Sequence, residues 1–382
     1  MPWRETTPMR ERGRFIVNYE SGLYTMSELC ERFGVSRKTG YKWVARYGGE
    51  GLAGLADRSR APHHCPHRTE ARLIDALVRA RRQHPTWGPR KLMSWLAKHH
   101  PESTWPAPST AGDILKQAGL IEARTRRRRL AHPGKTRVPM AAPNDVWSTD
   151  FKGEFRAGDG QWCYPLTVAD GASRYLLACA GKRSVREAGV RPVFVRLFQD
   201  FGLPKAMLSD NGPPFASNGR ARLSKLSVWW IKLGIELIRI EPGHPEQNGR
   251  HERMHRTLKA ETTRPPAANL PAQQRLFDRF QREYNTERPH EALGQLTPVE
   301  VYRPSPRAYP ARLPAIEYPG HYEVRRVTHN GCMFWQRDYL FVTRVLTNEY
   351  IGLEEIDEGV WSVYFGPLLL GRFDERERRI YS

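Results

Sequence analysis

The sequence predicts a multidomain chain with helical units at its N-terminal end, an α/β domain in the middle and a small β-barrel at the end. The chain has 382 residues, too many for one ordinary core, and its hydrophobic residues, 39% of the total, are sufficient for several cores. Helical periodicity dominates the first third, strand patterns begin at Asn144, and residues 314–382 are rich in Val, Tyr, Phe and Trp with glycine breaks.

The charge of the chain indicates its partner. Lys and Arg number 61 against 41 Asp and Glu, a formal net charge of +20, which is typical of proteins that bind nucleic acid. The sequence contains no apolar run of about eighteen residues, and its first residues lack the apolar centre of a signal peptide. We therefore expect a cytoplasmic protein that binds double-stranded DNA and no membrane.

The cysteines and a histidine-rich segment do not predict a zinc site or a disulfide framework. None of the five cysteines forms a C-x-x-C pair, and the neighbours in His63–His67 lie too close in sequence to share one tetrahedral ion. The five cysteines are Cys30, Cys65, Cys163, Cys179 and Cys332. We expect most of them to be small buried side chains.

Residues 1–58 predict a first DNA-binding unit with a helix-turn-helix between Met26 and Val44, where Ser36 caps the second helix. An ordinary helical hairpin is the alternative, and Gly40 inside the second helix costs that helix about 1 kcal/mol. In this register Tyr41 and Val44 pack inward. The side chains that face outward, suited to a major groove, are Arg37, Lys38 and Lys42.

A second helical unit, winged-helix-like, is predicted over residues 69–123, after a Pro- and His-rich connector. Leu73, Leu77 and Val78 have helical spacing, and Trp87 is expected in the core of this unit. Residues 124–143 then form a basic linker, either solvated or following DNA phosphates. Its arginines include Arg126, Arg127, Arg128 and Arg129.

Residues 144–304 predict an α/β core of the ribonuclease-H type. Three strands, 146–151, 163–169 and 175–180, precede a helix at 190–201, a strand at 206–209, a helix at 222–232, a strand at 235–240 and a long helix from about 247 to 262. Asp150 lies inside the first strand, Asp210 directly follows the fourth, and Glu252 lies in the opening turns of the long helix. A carboxylate inside an apolar strand is costly unless a cation compensates it.

Oxygen ligands of this kind favour Mg²⁺ or Mn²⁺. Two such ions about 3.5 to 4 Å apart support in-line phosphoryl transfer, the chemistry of nucleases and of strand transfer. The predicted catalytic and metal-binding residues are Asp150, Asp210 and Glu252.

Four sequence blocks resemble the integrase core that retroviral integrases share with bacterial insertion-sequence transposases. They are Trp147–Phe151, Ser209–Phe215, Gly243–Arg253 and Tyr284–Leu293 with Thr297-Pro298. The resemblance spans about residues 144–304 and implies a DDE-type transposase that acts on DNA ends as at least a dimer. It also implies an SH3-like barrel over residues 314–382 that holds DNA or another protomer, or only stabilises the chain. Whether an accessory ATPase takes part is left open.

The resemblance selects Glu252 over Glu246, which lies in the preceding loop. Helix geometry places Asn248, Arg256 and Lys259 on the face of Glu252, and retroviral integrases are similar in placing basic residues there, towards DNA. A solvated helix face is the alternative. The 41 residues between Asp210 and Glu252 suggest an insertion near residues 218–226. Asp170, another acid beside the sheet, is expected to support a turn.

We therefore expect a transposase that binds the terminal inverted repeats of its element, cleaves their 3′ ends and transfers the strands to target DNA. Two alternatives stay open: a DNA-binding regulator whose core has lost catalysis, and a ribonuclease-H-like nuclease that only hydrolyses.

Overall fold

A computed structural model describes residues 6–60, 68–121, 139–241 and 244–381. The chain divides into two compact units, residues 1–68 and residues 69–382. None of the helices in the described part of the chain combines the length and the apolar character that a membrane crossing requires.

The first unit is a small helical bundle. Its elements are α1 (Pro8–Glu20), α2 (Met26–Arg32), α3 (Arg37–Glu50) and a 3₁₀ turn, Gly51–Leu55. Thr25 caps α2 and Ser36 caps α3, so the predicted helix-turn-helix is confirmed. The core of the unit contains Phe15, Leu29, Trp43 and Leu55.

Two details of α3 differ from the sequence prediction. Tyr41 is 51% exposed, so its predicted inward orientation is wrong; Trp43, two residues later, is buried instead. Gly40 is buried, and a Cβ atom there would lie 2.7 Å from the Cys30 Sγ atom. The glycine therefore permits the close approach of α3 to α2, which offsets its low helix propensity.

The second unit begins with three helices, α4 (Ala71–Gln83), α5 (Pro89–His99) and α6 (Pro108–Gln117). They enclose a core that includes Leu77, Trp87, Leu92 and Leu115, which confirms Trp87 as a core residue. Residues 68–121 contain these helices and no strand, so no wing is seen within that range. The predicted linker arginines, Arg126 to Arg129, lie outside the described residues.

A mixed sheet forms the centre of the second unit. Its strands are β1 (Val146–Phe151), β2 (Phe155–Arg156), β3 (Trp162–Asp170), β4 (Leu176–Lys182), β5 (Ala206–Ser209) and β6 (Glu236–Arg239). The strand order is β2-β3-β1-β5-β6, and β4 also pairs with β3. β1 is antiparallel to β3 and parallel to β5, and β5 is parallel to β6. This mixed α/β core confirms the predicted ribonuclease-H-like architecture.

Five helices accompany this sheet: α7 (Glu187–Phe201), α8 (Lys225–Lys232), α9 (Gly249–Thr262), α10 (Leu270–Thr286) and α11 (Pro298–Val301). The main core, between the sheet and α7 and α8, contains Trp147, Phe194, Phe198 and Trp230. A second cluster joins α9 and α10 to the sheet through Met254, Leu258, Phe277 and Phe280. The helix α9 is therefore anchored by apolar side chains along one face.

The C-terminal segment is antiparallel. Its strands are β7 (Glu323–Arg326), β8 (Cys332–Trp335), β9 (Asp338–Phe341), β10 (Tyr350–Asp357), β11 (Val360–Phe365), β12 (Leu368–Asp374) and β13 (Arg379–Tyr381). Five form a sheet in the order β13-β12-β11-β10-β7, and β8 pairs with β9. The predicted β domain is confirmed, whereas these pairings do not form the closed ring of a barrel.

The C-terminal strands pack on α8. Leu223, Val228 and Ile231 share a buried cluster with Ile351 and Val363. The Lys232 Nζ atom lies 2.8 Å from Glu349 Oε1, and Arg220, in the region of the suggested insertion, donates to the carbonyl oxygens of Val342 and Ile380. Arg220 and Leu223, in the segment where an insertion is predicted, are thus part of the contact between the mixed sheet and the C-terminal strands.

Candidate active site

Strand register brings the first two acids together. Thr149 of β1 pairs in parallel with Ser209 of β5, so Asp150 and Asp210, one residue further along, meet at the same edge of the sheet. Carboxyl ends of parallel strands are the usual place for a site in α/β sheets. Both side chains are partly buried.

Glu252 reaches this edge from α9, in the first turn of that helix. It is exposed, and it lies near enough to Asp150 for its charge to raise the pKa of Asp150. The opposite face of α9 is buried, through Met254 and Leu258 among others. The first turn of a helix favours a carboxylate because the helix dipole is positive there.

A hydrogen-bond network joins α9 to β1 and β3. The Thr167 hydroxyl donates to the Asp150 carbonyl oxygen at 3.1 Å and lies 2.7 Å from His251 Nε2 and 2.6 Å from His255 Nε2. Since Thr167 has one hydrogen, both rings present Nε2–H to it. His251 Nδ1 lies 2.8 Å from Ser148 Oγ, and His255 Nδ1 lies 3.7 Å from Asp150 Oδ2.

Both histidines are neutral. Burial lowers the pKa of His251 to about 3 and that of His255 to about 2. A neutral ring suits an N–H directed at Thr167 and a lone pair at the other nitrogen. The network therefore holds α9 in a defined register against Asp150 without adding charge to the site.

The carboxylates repel each other. Burial, first of all, and the charges of Asp210 and Glu252 raise the pKa of Asp150 to about 7, against the backbone N–H of Phe151 and the charge of Lys152. Burial also raises the pKa of Asp210, opposed by the Gly212 N–H and by Arg239. Like charges in a partly buried site are unfavourable unless a cation compensates them.

The donor set fits a hard divalent cation, because carboxylate oxygens are the ligands that Mg²⁺ and Mn²⁺ prefer. In the described part of the chain, no three His, Cys, Asp or Glu side chains lie close enough together to hold one ion. The arrangement is therefore a pair of aspartates at the sheet edge with Glu252 beside them.

The solved structures that the chain matches include a retroviral integrase core domain and one chain of a retroviral intasome. The HTLV-2 integrase catalytic core domain in complex with magnesium is 16% identical, covers 42% of this chain and 98% of its own, and has a TM-score of 0.34. A chain of the simian T-cell lymphotropic virus intasome is 17% identical, covers 77% of this chain and 97% of its own, and has a TM-score of 0.38.

Family models match both the core and the N-terminal helices. Two integrase core domain models match residues 140–245 and 233–298, a helix-turn-helix domain model matches residues 11–63, and a homeodomain-like domain model matches residues 39–115. The chain is an integrase-core transposase of the DDE type.

Two insertion-element proteins are similar to this transposase over most of their length. The uncharacterized 39.2 kDa protein of element IS476 from Xanthomonas euvesicatoria is 29% identical over 65% of this chain and 70% of its own. The uncharacterized 31.7 kDa protein of element IS407 from Burkholderia multivorans is 28% identical over 63% of this chain and 82% of its own. The predicted resemblance to insertion-sequence transposases is thereby confirmed.

The predicted DNA-contact residues of the transposase have different environments. Arg37, Lys38 and Lys42 are exposed on α3, and Arg256 and Lys259 are exposed on α9. Asn248 is 6% exposed and precedes α9, at the end of a 3₁₀ turn, Pro245–Asn248. Asn248 is thus the N-cap residue of α9, and its predicted contact with DNA stays a prediction.

The remaining acids are distinguished by their surroundings. Asp170 is buried, and its carboxylate accepts from the Asn144 and Ser173 N–H groups and from the Ser173 hydroxyl, which confirms its predicted role in a turn. The side chain of Glu246 lies outside the described part of the chain.

Sequence reasoning missed the two histidines and Thr167. His251 and His255 are four residues apart, a spacing that places them on one helix face, and they flank Glu252. This spacing could have indicated that both histidines contact the sheet beside Glu252. Thr167 offered none, because its role depends on the pairing of Thr167 with Asp150 across β3 and β1.

Proposed function

We propose that this transposase binds the terminal inverted repeats of an insertion element, cleaves their 3′ ends and joins the freed hydroxyl groups to target DNA. The meeting of Asp150 and Asp210 at one sheet edge, with Glu252 beside them on α9, carries the proposal. The charge of +20 and the helix-turn-helix of the first unit agree with a DNA substrate.

Asp150, Asp210 and Glu252 are the residues that would hold two Mg²⁺ or Mn²⁺ ions. Such ions, when bound, lower the pKa of an attacking water or hydroxyl and stabilise the leaving oxygen. The chain itself positions the carboxylates. Thr167 and the two histidines hold α9 against β1, and the Asn211 side-chain amide donates to the Ile240 carbonyl oxygen at 2.6 Å, which fixes the loop after Asp210.

DNA contacts are proposed on two helices and in the linker. Arg37, Lys38 and Lys42 on α3 would enter a major groove, and the exposed Tyr41 lies beside them. Arg256 and Lys259 lie one and two turns beyond Glu252 and would contact the phosphates next to the cleaved bond. We also propose phosphate contacts for Arg126 to Arg129 of the linker, which lie outside the described residues.

We also propose that the C-terminal segment is a small SH3-like barrel and that the active form is at least a dimer on DNA. An isolated bridge between Val327 and Met333 connects the end of β7 to β8, which supports barrel-like closure. A core with one site per chain needs a second copy in order to process two DNA ends.

The test is a reaction of the purified chain with Mg²⁺, a labelled duplex that carries the terminal repeat, and a target plasmid. The proposal predicts a 3′ cut followed by joined products. Cut products without joining would indicate a hydrolytic nuclease, and specific binding without cutting would indicate a regulator; either result would overturn the proposal. Chelation of the metal is expected to stop cleavage while binding persists.

A further inference from the structure

Two guanidinium groups converge on one neutral oxygen beside the catalytic helix. Arg174, after the turn that ends β3, donates from Nη1 to the Gly171 carbonyl at 2.9 Å, and Arg250 of α9 donates from Nη1 to the same carbonyl at 2.9 Å. The two nitrogen atoms therefore lie within twice that distance of each other. Like charges this close are unfavourable without a counter-charge.

Arg253 adds a third positive charge. It lies three residues after Arg250, so both project from the same side of α9. Burial, first of all, and the charges of Arg250 and Arg253 lower the pKa of Arg174 to about 10, as expected for three cations close together. We call Arg174, Arg250 and Arg253 the arginine cluster.

The arginine cluster has no salt bridge to a carboxylate among the described residues. Asp170, whose charge acts on Arg174, already accepts three hydrogen bonds from Asn144 and Ser173. Arg250 and Arg253 are exposed and Arg174 is partly exposed, so an external anion could reach them. The local charge thus favours a ligand that the chain itself does not supply.

A row of cations follows α9 from the arginine cluster to the helix face that carries Glu252. Arg250, Arg253, Arg256 and Lys259 follow one another at intervals of three residues, which forms a continuous slanting ridge on a helix. The ridge spans about 13 Å at 1.5 Å per residue. Its far end lies on the face of Glu252, so an extended polyanion fits the whole row better than a small free anion does.

We propose that the arginine cluster binds a backbone phosphate of the DNA end, upstream of the cleaved bond, and so aligns the strand along α9. The inference rests on the proposed function for the identity of the ligand. The arginine fork, which binds phosphate through two parallel N–H groups, suits this role better than a lysine would.

The test measures DNA binding without catalysis. All proteins carry Asp150→Asn, and binding of the terminal-repeat duplex is followed by fluorescence anisotropy over a range of salt concentrations without divalent metal. Arg250→Gln/Arg253→Gln is compared with Arg183→Gln/Arg275→Gln, which removes two exposed arginines, after β4 and on α10. We expect the cluster variant to bind about tenfold more weakly. The salt slope, which is the slope of the logarithm of the binding constant against the logarithm of the salt concentration, should fall in magnitude by about 0.9 for one lost phosphate contact. The control variant should show neither change.

A second arm locates the phosphate. Neutral methylphosphonates replace the phosphates of the duplex one at a time. At one position the methylphosphonate should weaken binding of the duplex to the Asp150→Asn parent protein. The same substitution should cause no further loss of affinity in the cluster variant, which already lacks that contact. The proposal is overturned if the cluster variant keeps the salt slope of the control, or if it loses self-association without DNA, which would make a second copy the ligand. Both arms measure binding and not cleavage. They therefore test the arginine cluster even if the proposed transposase activity proves wrong.

Discussion

At Thr167 a single hydroxyl serves three partners. It donates to the Asp150 carbonyl oxygen and accepts from His251 and His255. One oxygen atom therefore links both imidazole rings of α9 to β1. Buried donors that lose their acceptor cost the folded state more than an ordinary hydrogen bond contributes.

We predict that Thr167→Val lowers the free energy of unfolding by about 2 to 3 kcal/mol, because valine leaves both imidazole N–H groups unpaired. Thr167→Ser keeps the hydroxyl and should cost about 1 kcal/mol through the lost methyl group. Urea denaturation of both variants measures this. Equal stability of the valine variant and the wild type would show that the hydroxyl does not hold the histidines.

His290 makes the stability depend on pH. Burial, first of all, and the charges of Lys91, Arg288 and Arg174 lower its pKa to about 3, against a hydrogen bond with the Tyr284 backbone. In the unfolded chain a histidine has a pKa near 6.5, so the unfolded state binds the proton first as the pH falls. The stability due to the neutral ring is complete above about pH 6.5 and is lost towards pH 3.

We predict that His290→Gln reduces the loss of unfolding free energy between pH 6.5 and 5.5 by about 1 kcal/mol. His329→Gln, a change at an exposed histidine, is the matched control. The comparison requires denaturation curves at both pH values. An unchanged pH dependence in the His290 variant would mean that this ring is protonated in the folded protein.

At the scale of elements, α4, α5 and the loop between them contact the end of α10 and the segment that follows it. His84 Nδ1 lies 2.8 Å from Glu283 Oε1, and Lys91 donates to the Pro289 carbonyl at 2.7 Å. Arg288, 8% exposed, contacts Glu261 at 3.1 Å and the Thr86 hydroxyl. The helices α4 and α5 are therefore joined to α9 and α10 by buried polar contacts.

We predict that Arg288→Ala loosens this contact, because it leaves Glu261 without its buried partner. Amide hydrogen exchange in α4–α6 should become faster, while the main core between the sheet and α7 keeps its protection. Glu291→Ala, which removes an exposed ion pair with Arg90, should have little effect. Protection of α4–α6 that does not change in the arginine variant would contradict the account.

The elements of the active site follow from local patterns. The apolar run around Asp150 predicts β1, and the motif after Ser209 predicts the end of β5. The place of Asn248 does not follow, because periodicity does not mark where a 3₁₀ turn ends and α9 begins. Likewise, α1 has only two fully buried residues, Phe15 and Ile16, too few for a clear helical pattern.

At the scale of the whole molecule, domain order is visible in composition, whereas contacts between segments are not. The ion pair of Lys232 with Glu349 joins residues 117 positions apart. The arginine cluster likewise joins a turn after β3 to α9. Such pairings depend on tertiary packing, which neither propensity nor charge count encodes, and the same holds for the closure of the C-terminal strands.

The central claim is that Asp150, Asp210 and Glu252 form one catalytic site. The most direct measurement is the single-turnover cleavage rate of the terminal-repeat duplex in Mg²⁺ by Asp150→Asn, Asp210→Asn and Glu252→Gln, with Glu246→Gln as the matched control and DNA affinity measured in parallel. We predict at least about a hundredfold loss in the first three variants with affinity retained, and near wild-type cleavage in the control. Cleavage that persists in any of the three, or that is lost only in Glu246→Gln, would contradict this account.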